Sequence, residues 1–307
     1  MTATAHPLAT ATMPKRRMPR REALQGWCLA LPATLLLVAI VLVPLAVVLA
    51  LSLTDYSLGQ ADTRFVGGAN YARLWSDPAI RRALVNTATY VGLVVPAAVG
   101  IGLGLALLIQ ARRRLRHVYE VVFFLPVTST FVAMAFVWQF LLHGRIGPIN
   151  GWLQQLGFAR IDFLTNPSVA IFSLAAVGAW QLIGFNVILF LAGLASLPRD
   201  VYDAAALDGL RGVERFGRIT WPLLAPTALF VTVTSCITAC QVFDSVAALT
   251  RGGPMGSTDV LLYRIYQTAY QQLDIGLGAA LSVVFLTIIV AISLLQVAIA
   301  DRRIHYS

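Results

Sequence analysis

Charge is scarce in this sequence. Only 12% of its 307 residues are Asp, Glu, Lys or Arg, about half the share usual in soluble domains. Hydrophobic residues make up 58% and the mean hydropathy is +0.76. A water-soluble fold of this length could not hide so much apolar side chain. Cysteine is equally sparse. Cys28, Cys236 and Cys240 fall in apolar stretches without metal-ligand spacing, which excludes a disulfide framework and a zinc site. The four histidines are scattered, none near a carboxylate at metal spacing. Neither a metal site nor a catalytic constellation is expected.

Two further absences bear on energy. No G-x-x-x-x-G-K-[ST] loop occurs, so the chain carries no ATP site of that type. Apart from Asp244, the long apolar stretches contain almost no ionisable groups. Proton and sodium pumps need such groups along their path. This weighs against a stand-alone secondary carrier of small polar solutes, which remains the alternative. Energy should then enter from outside the membrane part.

What the sequence does contain is six apolar stretches of spanning length. They run Trp27–Leu51, Ala83–Ile109, Val121–Leu142, Val169–Leu197, Leu223–Leu249 and Gly276–Ala300. Roughly 20 apolar helical residues cross a hydrocarbon core, and none of the six shows the alternation of a barrel strand. The expected fold is therefore all-α: a polytopic membrane protein of six transmembrane helices. Residues 1–26 read as a flexible basic cytoplasmic tail and 27–307 as the six-helix domain. The apolar run after that tail is too long for a signal peptide, and no A-x-A-like site follows it. With the tail inside, 15 of the 23 Lys and Arg residues fall on the inner side, which makes both termini cytoplasmic. Arg112–Arg116 read as a topology determinant drawn to anionic headgroups, with Glu120 as a partner. The net charge of +9 flanks apolar spans, so the bilayer and not nucleic acid is its expected partner.

The segment between the fourth and fifth stretches, residues 198–222, is too apolar for a solvated loop. Pro198 and Asp200 can start a helix, the alanine-rich Asp203–Asp208 stretch continues it, and Gly209 permits a sharp break. Leu210, Val213, Phe216 and Ile219 then recur at threefold spacing among Arg211, Arg215 and Arg218. Pro222 suits the first turn of the next span. Such a segment fits a helix lying on lipid headgroups, or a small-faced helix that inserts into a partner's groove.

Polar groups at membrane depth are few. Gln181 and Asn186 lie on the fourth stretch. On the fifth, Thr234, Thr238, Gln241 and Ser245 would share one helical face. They read either as pathway lining or as glue between helices. Asp244, near the outer end of its stretch, reads as solvated, paired or in contact with solute.

The 198–222 loop resembles the EAA motif of binding-protein-dependent ABC permeases, which runs Glu-Ala-Ala, two residues, Asp-Gly, then an apolar run to Ile-x-x-Pro-Leu. Asp203, Ala204, Ala205, Asp208, Gly209, Phe216, Ile219, Pro222 and Leu223 stand at those positions. Asp203 departs from the family, which has Glu there; the charge is kept with a shorter reach. Leu51–Tyr56, Phe65–Tyr71, Leu84–Thr87, Phe123–Pro126, Gly147–Asn150, Gln241–Asp244 and the Gly252-Gly253-Pro254 element are similar to the carbohydrate-uptake subfamily. The resemblance implies a type I ABC importer permease fold in a bacterial inner membrane. It also implies a sugar or sugar-like cargo: an oligosaccharide, monosaccharide, polyol or glycerol phosphate. Three partners follow from it: a second homologous permease, a cytoplasmic ABC ATPase dimer docked at the EAA loop, and an extracytoplasmic solute-binding protein. ATP would be used by the ATPase, with no cofactor and no catalytic residue on this chain.

Overall fold

The computed structural model describes residues 20–60, 62–111 and 116–301. Most of the expected tail and the arginines at 112–114 therefore lie outside the described residues, as do the side chains of Arg116 and Glu120. The chain divides into two compact units, Met1–Val47 and Val48–Ser307.

The first unit holds α1 (Arg20–Leu37), a π turn (Val38–Leu42) and the start of α2 (Val43–Leu51). The proline at Pro44 explains the turn. It has no N–H to donate and its ring would meet the carbonyl four residues back, so a wider turn before it relieves both problems.

The second unit is built of helices joined by irregular loops, with two isolated β-bridges among its described residues. In order come α3 (Ala69–Ser76), α4 (Pro78–Ala111), α5 (Arg116–Thr128), α6 (Phe131–Leu141), α7 (Pro148–Gln155) and α8 (Ala170–Ala195). Then follow α9 (Arg199–Leu207), α10 (Gly212–Arg215), a π turn (Phe216–Thr220) and α11 (Trp221–Cys240). A π turn (Val246–Thr250), α12 (Leu261–Tyr266), a further π turn (Gln267–Gln271) and α13 (Ile275–Asp301) complete it. Among the described residues, five helices are long and apolar enough to cross a membrane, and Val132–Leu141 is a shorter apolar one.

Two of the expected continuous spans are broken. The third is α5 and α6, interrupted where Thr130 turns extended at ψ 131°. Thr128 and Ser129 hydroxyls both donate to the Leu125 carbonyl there, so polar groups at the break are served locally. The fifth begins at Gly212 instead of Leu223 and ends at Cys240 instead of Leu249. Its 29 residues give a length of roughly 43 Å, well beyond a hydrocarbon core of about 30 Å. Pro222 is the second residue of α11, in its first turn as expected, although the helical run continues back to Gly212 through a π turn. As at Pro44, a π turn stands just before it.

Helices α4 and α8 form the centre of the bundle. Ala98, Gly102 and Ala106 make a buried small stripe on α4 at i, i+4, i+8, which lets the backbones close up. A Cβ on Gly102 would stand 2.9 Å from that of Asn186. Apolar packing is continuous from one end to the other. Ile109, Phe190 and Leu224 fill the end near α9, Val94, Leu174 and Val246 the middle, and Leu74, Ile80 and Leu281 the end near α3.

The α3 end is strapped together by polar contacts. Leu58 N–H donates to the Leu273 carbonyl at 2.9 Å and Gly276 N–H to Tyr56 at 2.8 Å. Asn70 donates to the carbonyls of Ser52 and Thr54, and Arg73 pairs with Asp274 at 3.2 Å.

Candidate functional site

Two regions collect the expected functional residues. The first is the α9–α11 loop. Pro198 stands at the N-cap of α9 and Asp200 lies in its first turn, where the helix dipole favours a carboxylate. The helix ends in a Schellman turn: Leu210 N–H donates to the Ala205 carbonyl at 2.9 Å and Gly209 N–H to Ala206 at 3.2 Å. Gly209 adopts φ +78° to make it, a conformation natural to glycine. Gly212, at φ +55°, redirects the chain into α10. Leu210 consequently lies off the helix, so the expected threefold stripe starts only at Val213.

Asp203, Ala204, Asp208 and Pro222 are exposed, Ala205 is buried, and Phe216 and Ile219 are half-buried. Leu207 and Val213 are 90% and 87% exposed, the two most open large apolar side chains of this loop. The loop is held to the span by groups the sequence reading passed over. The Tyr202 hydroxyl donates to Thr220 Oγ1 at 3.0 Å, and the Arg215 guanidinium lies 5.7 Å from the Tyr202 ring centroid. Glu214 and Arg218 pair at 3.2 Å one turn apart. Nothing local marks Tyr202 for this, because its partner is a full loop away.

The second region is a cavity of about 390 Å³ bounded by α4, α8 and the end of α11. Its polar lining comprises Tyr90, Gln181, Thr238, Gln241, Asp244 and Ser245, with Phe185 and Phe243 among the apolar residues. Gln241 closes α11 at φ −82°, ψ 17°, so Ser245 does not continue the helical face of Thr234 and Thr238. Irregular backbone is tolerated in a membrane protein where it lines a cavity, and here the break delivers Gln241, Asp244 and Ser245 to one. Gln181 and Gln241 each offer donors and an acceptor, a set suited to hydroxyl-bearing solutes.

Not every expected residue is in that wall. Asn186 is fully buried between helices, its Oδ1 accepting from Ser235 Oγ at 3.1 Å. The Thr234 hydroxyl donates back to the Phe230 and Val231 carbonyls. Tyr90 was missed, although a phenol amid an apolar span needs a partner. Its hydroxyl occupies the space where a Cβ on Gly178 would project. Gly178→Ala is expected to displace that buried ring and lower stability by roughly 1–3 kcal/mol, read as an earlier unfolding midpoint in detergent.

Beyond the cavity lies a loop of left-handed backbone: Arg251 (φ 52°), Gly252 (79°), Met255 (53°) and Gly256 (75°). The start of α4 clamps it. Arg82 donates to the Met255 carbonyl at 2.8 Å, and Asn86 to Gly256 and Asp259 at 2.9 Å each. Thr87 Oγ1 accepts from Leu261 N–H at 2.8 Å. Asp259 forms an ion pair with Arg264 in which both side chains are largely buried. Burial pushes the Asp259 carboxyl above its ordinary range, outweighing the opposite pull of Arg264 and Arg82.

Comparison with known proteins places these features. Residues 98–305 match the family model of the binding-protein-dependent transport system inner membrane component. The sn-glycerol-3-phosphate transport system permease protein UgpA of Agrobacterium fabrum is 32% identical over 247 residues, covering 80% of this chain and 83% of that protein. The sulfoquinovosyl glycerol transport system permease protein SmoG of the same organism is 32% identical over 275 residues, 89% of each. A chain from the crystal structure of a bacterial ABC transporter involved in import of the acidic polysaccharide alginate shares the fold. Its TM-score is 0.79 at 22% identity, over 92% of this chain and 96% of that one. The same transporter in complex with an alginate pentasaccharide-bound periplasmic protein gives 0.80.

Proposed function

This chain belongs to the family of binding-protein-dependent transport system inner membrane components, and we propose that its cargo is a sugar or sugar-like solute. It is a multi-pass membrane permease of an ABC importer, a transport component and not an enzyme. The cargo class comprises oligosaccharides, monosaccharides, polyols and glycerol phosphate. The observation that carries this reading is the cavity where Gln181, Thr238, Gln241 and Asp244 meet between α4, α8 and α11. Its mixture of amide, hydroxyl and aromatic groups matches polyhydroxylated molecules, and relatives named for sn-glycerol-3-phosphate and sulfoquinovosyl glycerol support it.

In this reading the chain forms half of the pathway and a second homologous permease the other half. An extracytoplasmic binding protein delivers solute at the α3 end. A cytoplasmic ATPase dimer docks on α9 and uses ATP, while this chain holds no cofactor. Asp203, Ala204, Ala205, Asp208 and Gly209 form the docking element, and Phe216, Ile219 and Pro222 connect it to the span. The exposed Leu207 and Val213 support docking, because apolar side chains beside small ones suit a partner's groove. Both termini are cytoplasmic, and residues 1–26 are a basic tail whose last residues enter α1. Asn186 acts behind the wall, holding α8 to Ser235 of α11, while the Thr234 hydroxyl is spent within α11.

The test is reconstitution of this permease with its partner permease, ATPase and binding protein in liposomes. Uptake is expected to require ATP and to stop when the ATPase is inactivated. Uptake by this chain alone down an ion gradient would overturn the reading. Gln181→Leu and Gln241→Leu are each expected to reduce apparent solute affinity roughly tenfold, the worth of one or two net hydrogen bonds, with ATPase docking unchanged.

A further inference from the structure

Between the cavity and the surface, aromatic rings stand in succession. Phe243, which lines the cavity, lies edge-on to Tyr266 with ring centroids 5.3 Å apart. Tyr266 stacks on Tyr270 at 5.7 Å and 30°. Tyr263 backs the series, 6.0 Å from Phe243 and 6.1 Å from Tyr266. Exposure rises outward along it, from 5% at Tyr263 through 38% at Tyr266 to 71% at Tyr270. The spacing 263, 266, 270 puts the tyrosines on one helical face.

A second, polar pocket of about 260 Å³ lies beneath the left-handed loop, lined by Arg251, Asp259, Arg264 and Gln267 among others, Arg264 and Gln267 being chain neighbours of Tyr263 and Tyr266. Gly252 lets the Tyr263 ring approach, since a Cβ there would stand 3.0 Å from it. Asp259 is 2% exposed. Its Oδ1 and Arg264 Nε are both buried without a hydrogen-bond partner among the described residues. Buried polar atoms are normally satisfied, so these two point to a ligand that accepts from the guanidinium and donates to the carboxylate.

We infer that Tyr266 and Tyr270, with the Asp259–Arg264 pocket beside them, form an outer subsite that takes a pyranose ring before it reaches the cavity. The inference rests on the sugar cargo proposed above. A pyranose presents C–H faces that suit aromatic rings and hydroxyls that both donate and accept. Ring faces and polar edges are what the two sides of this site offer. Phe243 belongs to both sites, so a sugar leaving Tyr266 meets the cavity wall next.

Saturation-transfer NMR on the assembled transporter in nanodiscs tests this without the binding protein. The probes are glucose and sorbitol, which carry similar hydroxyls with and without a ring. Irradiating aromatic protons is expected to saturate the ring protons of glucose far more than the chain of sorbitol. Tyr266→Leu/Tyr270→Leu, which keeps apolar bulk, should cut the glucose signal about tenfold, the combined effect of two ring contacts. Gln181→Leu should leave that outer signal in place. No glucose signal in the wild type, equal signals from both probes, or a signal indifferent to the double substitution overturns the subsite. So does a double variant whose only defect is failed assembly with the partner permease. ATP-dependent sugar uptake alongside any of these results leaves the cargo assignment standing and removes this inference alone.

Discussion

Replacing Gly209 with proline is expected to reduce uptake to background while leaving the chain inserted in the membrane. Gly209 stands at φ +78°, and a proline ring holds φ near −65°. Its N–H, which proline lacks, donates to the Ala206 carbonyl. The substitution therefore removes both the turn and the bond that end α9. Insertion depends on the apolar spans, which it does not touch. Asp203→Arg makes the complementary case, since it keeps the backbone and reverses an exposed charge on α9. Pull-down of the ATPase should fail for both variants, with normal amounts of each in isolated membranes. Undiminished capture and uptake would show that the docking surface lies elsewhere.

The second large effect concerns Asp259. Asp259→Ala leaves Arg264 buried without its carboxylate, and breaking a buried pair costs roughly 3 kcal/mol or more. The unfolding midpoint in detergent should fall accordingly. Replacing both partners, as Asp259→Leu/Arg264→Met, should recover most of the loss, because no buried charge is then left alone. The raised carboxyl argues the same way: desolvation already outweighs attraction here. A group whose folded pKa is raised stabilises most below its unfolded pKa. Its contribution is lost as pH climbs from its ordinary 3.8 through the raised value. Wild type should thus lose some stability over that window, and the double variant should not. A single variant as stable as wild type would mean the pair is solvated.

The membrane character, the crossing helices and the glycine break were legible because each has a local cause. A spanning helix needs an apolar run of fixed length, and Gly209 followed a helix-forming stretch that had to end. The interruptions at Thr130 and after Cys240 were not legible. They depend on what surrounds the chain, and apolar residues continue on both sides of each. For the same reason Asn186 could not be sorted from Gln181 by sequence. Both are amides on α8, yet Asn186 meets Ser235 on α11 while Gln181 meets open space. Pro222 does stand in the first turn of α11, where proline is favoured. What the sequence did not announce is the π turn that joins α10 to α11 ahead of it.

That π turn also sets a phase. An α-helix advances about 100° per residue, and a single wide turn absorbs roughly one extra residue. The α10 residues before Phe216 are thereby rotated by about one residue's worth relative to the side chains that follow Trp221. The bearing at which Val213 faces outward is thus geared to the wall that carries Thr238. Relaxing the wide turn would swing one against the other.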